Sequence, residues 1–170
     1  MRRFSRGDPV LVVWGEKRWR VRLDRDVFST HRGTIDLAGV VGKPDGYSFI
    51  FAGRRVWFFM PTLEETLVGL RRQTQIIYPK DIGAMLLFSG LSPDDRIIEA
   101  GTGSGALLVA LLSCVRRGRV VTIEERPEFQ EIARNNVAAY FGSVPSRVRF
   151  VRADAYNEKL RAGLRREWAD

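Results

Sequence analysis

The sequence predicts an α/β protein in two parts: a small all-β module, then a parallel, doubly wound sheet. Three observations predict it. From residue 81 onward, strand-like and helix-like apolar runs alternate as αβαβαβα. Before residue 62 there are only short strand-like runs separated by glycine-containing turns, the pattern of a small barrel. In the second part, "IIEAGTGSGAL" (97–107) joins a strand to a helix; an acid ends the apolar run and three glycines follow at alternate positions.

Residues 1–62 read as the basic β domain. "VLVVW" (10–14) is continuously apolar. "KRWRVRL" (17–23) alternates, with Trp19, Val21 and Leu23 on one side and Arg18, Arg20 and Arg22 on the other. "GTIDLAGVVG" (33–42) is a third strand region, and "YSFIFAGRRVWFFMP" (47–61) a hairpin turning at Gly53. The alternating arginines fit either a binding face or the solvent side of a half-buried sheet. Residues 63–80 read as a connector. Thr62 and Glu65 have capping-box spacing for a short helix, and Arg71 and Arg72 lead into an extended "TQIIYP".

Residues 81–170 carry the alternating pattern. A helix over 81–91 is capped by Asp81 and ended by Gly90. Strand 96–100, helix 104–115 and strand 119–125 follow. An amphipathic helix over 127–142 has Pro127 in its first turn and Gly142 at its end. Strand 147–154 and a helical stretch over 157–167 complete the pattern.

Composition limits the function classes. The chain has 170 residues, enough for one ordinary domain or two small ones, and 45% are hydrophobic. The lone Cys114 cannot form an internal disulfide, which suggests a reducing cytoplasm; its apolar surroundings suggest helix core. No run approaches the roughly 20 apolar residues that span a bilayer, and the N-terminus lacks the apolar core of a signal peptide. A soluble cytoplasmic protein is expected. The single histidine, His31, lies in a polar turn, and no ligand cluster suggests a metal. The net charge is +8, unevenly placed: residues 1–80 hold 15 Lys/Arg against 8 Asp/Glu, and residues 81–170 hold 13 against 12. That asymmetry suggests a polyanion held by the first half; an arginine-rich solvated surface is the alternative.

Gly101, Gly103 and Gly105 allow a tight turn and close approach of a ligand to backbone N–H groups at a helix N-terminus. Glu124 lies 23 residues after Gly101, where an acid can grip ribose hydroxyls. The pattern alone leaves the cofactor open, because Gly101, Gly103 and Ala106 also satisfy the NAD form. Glu99 tips the choice: an acid two positions before the first glycine can meet an ammonium group, which S-adenosylmethionine has and NAD lacks. The G-x-G-x-G spacing resembles motif I of class I methyltransferases.

With "TQIIYPKD", "EAGTGSGAL" and "EERP" in view, residues 73–112 and beyond resemble the tRNA (adenine-N1)-methyltransferases of archaeal and bacterial type. The resemblance implies a Rossmann-like class I methyltransferase domain behind an N-terminal β-barrel, S-adenosylmethionine as cofactor, and methylation of adenine N1 at position 58 in the T-loop of tRNA. It also implies a homo-tetramer. Carried over, the cofactor-binding residues fall on Ser104, Gly105, Ala106 and Leu107, with Glu124 at the ribose and Asp154 toward the cofactor adenine. A further contact would fall on Phe129, where the family has a polar residue. Tyr78 resembles the aromatic bordering the pocket; packing of the connector is the other reading. Arg18, Arg20, Arg22, Arg54, Arg55, Arg71 and Arg72 are the candidate RNA contacts. A methyltransferase for protein or a small molecule, and a non-catalytic tRNA-binding subunit, are the alternatives.

The family's next motif, an Asp-x-Pro element that should contact the target adenine, is missing. Asp170 is not that acid, since no apolar strand precedes it. The expectation is therefore a C-terminally truncated chain with most of a cofactor site, poorly stable or inactive alone.

Overall fold

The computed structural model describes residues 2–73, 75–160 and 164. The chain forms two compact units, Met1–Thr62 and Leu63–Asp170.

In the first unit, β1 (Pro9–Trp14), β2 (Lys17–Arg22), β5 (Tyr47–Phe51) and β6 (Arg54–Phe59) make an antiparallel sheet in the order β2-β1-β6-β5. The turn between β5 and β6 has positive φ at both Ala52 and Gly53, the two-residue turn whose twist matches paired strands. Between β2 and β5 lie β3 (Val27–Thr30) and β4 (Gly33–Asp36), paired only with each other. The expected barrel is therefore not formed: β2 and β5 are the ends of an open sheet. The strand expected over 33–42 stops at Asp36, whose carboxylate accepts the Gly39 N–H, and a single 3₁₀ turn follows over Ala38–Val40. Apolar burial does the closing instead. Ile35, Leu37 and Val40 share one core with Val10, Val12, Val56 and Phe58 from the sheet.

The second unit contains α1 (Leu63–Val68), α2 (Pro79–Phe88), β7 (Arg96–Ala100), α3 (Ala106–Cys114), β8 (Arg119–Glu124), α4 (Pro127–Phe141) and β9 (Val148–Arg152). β7, β8 and β9 form a parallel sheet in that order. Residues expected as a connector join this unit's core: Leu67 and Ile76 are buried with Leu108, Val109 and Val120. α2 starts two residues before the expected Asp81 cap. Tyr78 holds the N-cap position and Pro79 the first helical one, where a missing N–H costs nothing. Residues 158–160 and 164 are helical. Asn157 precedes them, its side-chain oxygen accepting the Leu160 N–H at 3.2 Å; residues 161–163 and 165–167 of the stretch expected over 157–167, and Asp170 with its two predecessors, lie outside the described residues.

Arg147, just before β9, closes the far end of α3. Its guanidinium donates to the carbonyls of Leu112 and Val115 at 2.8 and 2.9 Å, groups that the helix itself leaves unsatisfied. Arg147→Ala should lower stability by about 1–3 kcal/mol in urea melts, and Arg147→Lys should recover little, because a lysine has no donor at the Nε position and lacks the fixed planar fork that reaches both carbonyls.

Candidate functional site

At the carboxyl ends of the parallel strands lies a cleft of about 460 Å³ whose lining includes Ala100, Gly101, Ile123, Glu124, Asp154 and Tyr156. Sheets of this kind bind ligands at that edge. The glycine loop turns there because the Ile123 carbonyl accepts both the Gly101 and Thr102 N–H groups, at 2.8 and 3.2 Å. Gly101 has φ +84° and open space where a Cβ would stand. Gly105, at φ +80°, is the N-cap of α3, and a Cβ on it would lie 3.1 Å from that of Ala133. Here glycine is needed for helix packing as much as for the turn. No side chain caps α3, so its first-turn N–H groups have no intrahelical partner. Ser104 and Ala106 are buried and Leu107 packs on the core, so these three offer a ligand backbone rather than side chain.

Glu99 is buried and does not line the cleft. Its Oε2 accepts from the Thr122 hydroxyl at 2.5 Å, and Thr122 pairs with the Thr102 hydroxyl at 2.5 Å. Thr122 has one proton and spends it on Glu99, so Thr102 must donate to Thr122. Oε1 of Glu99 is buried without a partner among the described residues. Burial pushes the Glu99 carboxyl up to about 7; the Thr122 bond pulls it down and the nearby Glu124 charge raises it. An unpartnered oxygen on a buried carboxyl is a site for a cationic donor.

Glu124 clamps the loop. Its carboxylate accepts from the N–H of Gly103 at 2.9 Å and of Arg126 at 3.1 Å, leaving a further lone pair on each oxygen. Asp154 is exposed and accepts the Tyr156 N–H at 2.8 Å. Of the three candidate acids, Glu124 and Asp154 line the cleft, while Glu99 is buried one residue before the end of β7. Phe129 is buried under the Arg126 guanidinium, 4.2 Å from its ring centroid. Tyr78 is 60% exposed and is not part of the cleft lining.

The candidate RNA contacts do not share one surface. Arg18, Arg20, Arg22 and Arg55 stand on one face of the first unit's sheet; Arg22 also donates to the Gly7 carbonyl at 2.9 Å. Arg54 alternates to the other face, beside Gly15. Arg71 and Arg72 border a groove with Glu128 and Glu131 in the second unit. Among the described residues no group of His, Cys, Asp or Glu suits a metal ion, and no helix is long and apolar enough to cross a membrane.

Three positions escape the sequence reading. Thr102 and Thr122 complete the hydroxyl chain to Glu99. Asn136 is buried, donates to the carbonyls of Ser104 and Arg71 at 2.8 Å each, and accepts the Arg71 N–H at 3.2 Å. Its signal was present: Phe129, Ala133, Asn136 and Val137 form the buried stripe of α4, and Asn136 is the polar member.

Residues 55–164 match the family described as the GCD14 subunit of the tRNA methyltransferase complex. A Methanocaldococcus jannaschii relative, tRNA (adenine(57)-N(1)/adenine(58)-N(1))-methyltransferase TrmI, is 32% identical over 129 residues, covering 75% of this chain and 45% of the relative. Thermus thermophilus tRNA (adenine(58)-N(1))-methyltransferase TrmI is 36% identical over 117 residues, covering 68% and 46%. The chain spans about half the length of these curated relatives. Among solved structures, Aquifex aeolicus tRNA (m1A58) methyltransferase TrmI superposes with a TM-score of 0.76 at 34% identity, covering 92% of this chain and 61% of that one. A Thermotoga maritima SAM-dependent O-methyltransferase gives 0.78 at 34% identity, covering 89% and 57%.

Glu99 holds its proton more tightly folded than unfolded. As pH rises from the ordinary value of 4.5 to about 7, the unfolded chain releases that proton first and folded stability falls across this window. The loss is up to about 3 kcal/mol, level above pH 7. Urea melts of the parent chain and Glu99→Gln should differ by a gap that varies with pH in that window; a constant gap refutes it. Asn136→Ala should cost about 1–3 kcal/mol, because it strands the buried Ser104 carbonyl and removes the part-buried bonds to Arg71. Asn136→Asp, which cannot donate, should not restore it.

Proposed function

The chain belongs to the tRNA methyltransferase family described as the GCD14 complex subunit, and from that premise we propose that it binds S-adenosylmethionine and serves methylation of adenine N1 at position 58 of tRNA. The observation that carries the cofactor is the buried, unpartnered Oε1 of Glu99. It fits the ammonium of the methionine part. Glu124 has lone pairs for ribose hydroxyls, and the open side of Gly101 admits a ligand to the backbone. Asp154, exposed at the lip of the cleft, is the candidate for the adenine amino group. Ser104, Gly105, Ala106 and Leu107 present the start of α3.

When bound, S-adenosylmethionine supplies a methyl group on a positively charged sulfur. The task of these residues is to hold and orient, which lowers the entropic part of the barrier. N1 lies on the Watson–Crick edge, so the target base must be taken out of its stack. The basic first unit supports a tRNA partner, its arginines holding the backbone in a salt-sensitive way. A homo-tetramer in the cytoplasm goes with this reading on the strength of the family resemblance, and light scattering checks the assembly.

A cation on Glu99 draws its carboxyl back toward the ordinary range, so cofactor binding near pH 6.5 should release most of a proton. Calorimetry in two buffers of different ionisation heat reads it. Glu99→Gln should abolish the release and weaken binding about tenfold, or about 1.4 kcal/mol. Equal heats in the two buffers would remove Glu99 from the ammonium site. For the substrate, label from the methyl-tritiated cofactor should enter tRNA and vanish when adenine 58 is replaced by guanine. Label in protein or a small molecule would instead favour the O-methyltransferase side of the comparison.

A further inference from the structure

Three buried polar side chains form a row inside the second unit: Thr102 in the glycine loop, Thr122 in β8 and Glu99 in β7. Parallel pairing sets Glu99 beside Thr122. The Thr102–Thr122 and Thr122–Glu99 contacts are both 2.5 Å, at the short end for hydroxyl bonds. The backbone of Thr102 fixes the other end. Its N–H donates to the Ile123 carbonyl at 3.2 Å, and its carbonyl accepts the Gly105 N–H at 2.9 Å. The row therefore joins the buried carboxyl to the start of α3.

The row has a direction. Each threonine hydroxyl has one proton to give. With Thr102 donating to Thr122, and Thr122 to Oε2 of Glu99, both protons are used. In the reverse direction Glu99 must carry a proton on Oε2, and the Thr102 proton has no acceptor among the described residues. A stranded buried donor is costly, so the row runs toward the carboxyl and keeps Oε2 as an acceptor. Oε1 is left as the oxygen without a partner among the described residues. The Thr122 bond also favours the ionised carboxyl, against the burial and the Glu124 charge that oppose it.

We propose that Thr102 and Thr122 are positioning residues for ligand choice: their one-way hydroxyl row makes Oε1 of Glu99 a receptor for an ammonium group and not for its neutral counterpart. This rests on the S-adenosylmethionine reading above. Both threonines act through Glu99. An ammonium pairs with the buried carboxylate, whereas a ligand without one leaves it unpaired and gains nothing from the row. Two hydroxyls with a purely structural duty would not sort ligands by charge.

Calorimetry of the full chain at neutral pH compares S-adenosylhomocysteine with its analogue carrying hydrogen in place of the α-amino group. The parent should prefer the amine by about tenfold. Thr122→Val keeps the shape and removes the hydroxyl, and the preference should fall to about threefold or less; Thr122→Ser should return it near the parent value. Thr102→Val keeps the Thr122–Glu99 contact but frees its direction. The preference should then fall part of the way, and Thr102→Ser should restore it. A purely structural loss would weaken both ligands alike and leave their ratio where it was. Should Thr122→Val fail to fold in circular-dichroism melts, the two Thr102 variants carry the test, because Thr102 sits at the loop end of the row. An unchanged ratio in the valine variants overturns the proposal, while the parent's own preference keeps the ammonium reading. A parent that binds both ligands equally, or neither, overturns the ammonium reading and the row's part in it.

Discussion

The second unit depends on the parallel pairing of β7 with β8. Its register sets Glu99 beside Thr122 and Ala100 beside Ile123. From the first pair comes the hydroxyl chain that half-satisfies a buried carboxyl. From the second comes the carbonyl that accepts two N–H groups and folds the glycine loop back over the strand ends. A one-residue slip would turn Glu99 to the other face of the sheet and strand both features.

Around that pairing the loop is held from two more sides. Glu124 reaches it from the end of β8 through Gly103, and Asn136 reaches it from α4 through Ser104. Gly105 lets α3 come within contact of Ala133 on α4, which brings Asn136 close enough to bond. Backbone groups that would meet a ligand are thus positioned before one arrives, which reduces the ordering cost of binding. Glu99 is the exception to this economy: a carboxyl kept in the core with one oxygen unpartnered, costly to ionise until a cation reaches it.

The first unit solves a different problem. Its sheet has an apolar face that Ile35, Leu37 and Val40 cover, and an opposite face that carries Arg18, Arg20, Arg22 and Arg55 beside Trp57 and Phe59. An open sheet with a covering hairpin buries its apolar face without closing on itself. The barrel expectation failed because strand-like composition in 33–42 says nothing about which partner a strand chooses. Asp36 ends the strand through a local bond to Gly39, and β3, with weak alternation, was not recognised at all.

Local signals with a steep physical cause were legible in the sequence. The alternation of "KRWRVRL", the two-residue turn at Ala52-Gly53, Pro127 and Gly142 at the ends of α4, and the three loop glycines each depend on a few neighbouring residues, and each lies where expected. The acids at strand ends were legible as types and places. Their environments were not, since burial and hydrogen bonding depend on residues far along the chain. Only the tertiary structure decided that Glu99 is buried with one oxygen unpartnered among the described residues, that Glu124 takes one backbone N–H on each oxygen, that Tyr78 stands outside the cleft lining, and that Asn136 staples the loop. The sequence by itself determined the alternation of elements and the glycine turn that joins β7 to α3, because periodicity and turn chemistry are local. Strand partners, solvent access and the charge state of a buried acid are long-range, and folding settles them.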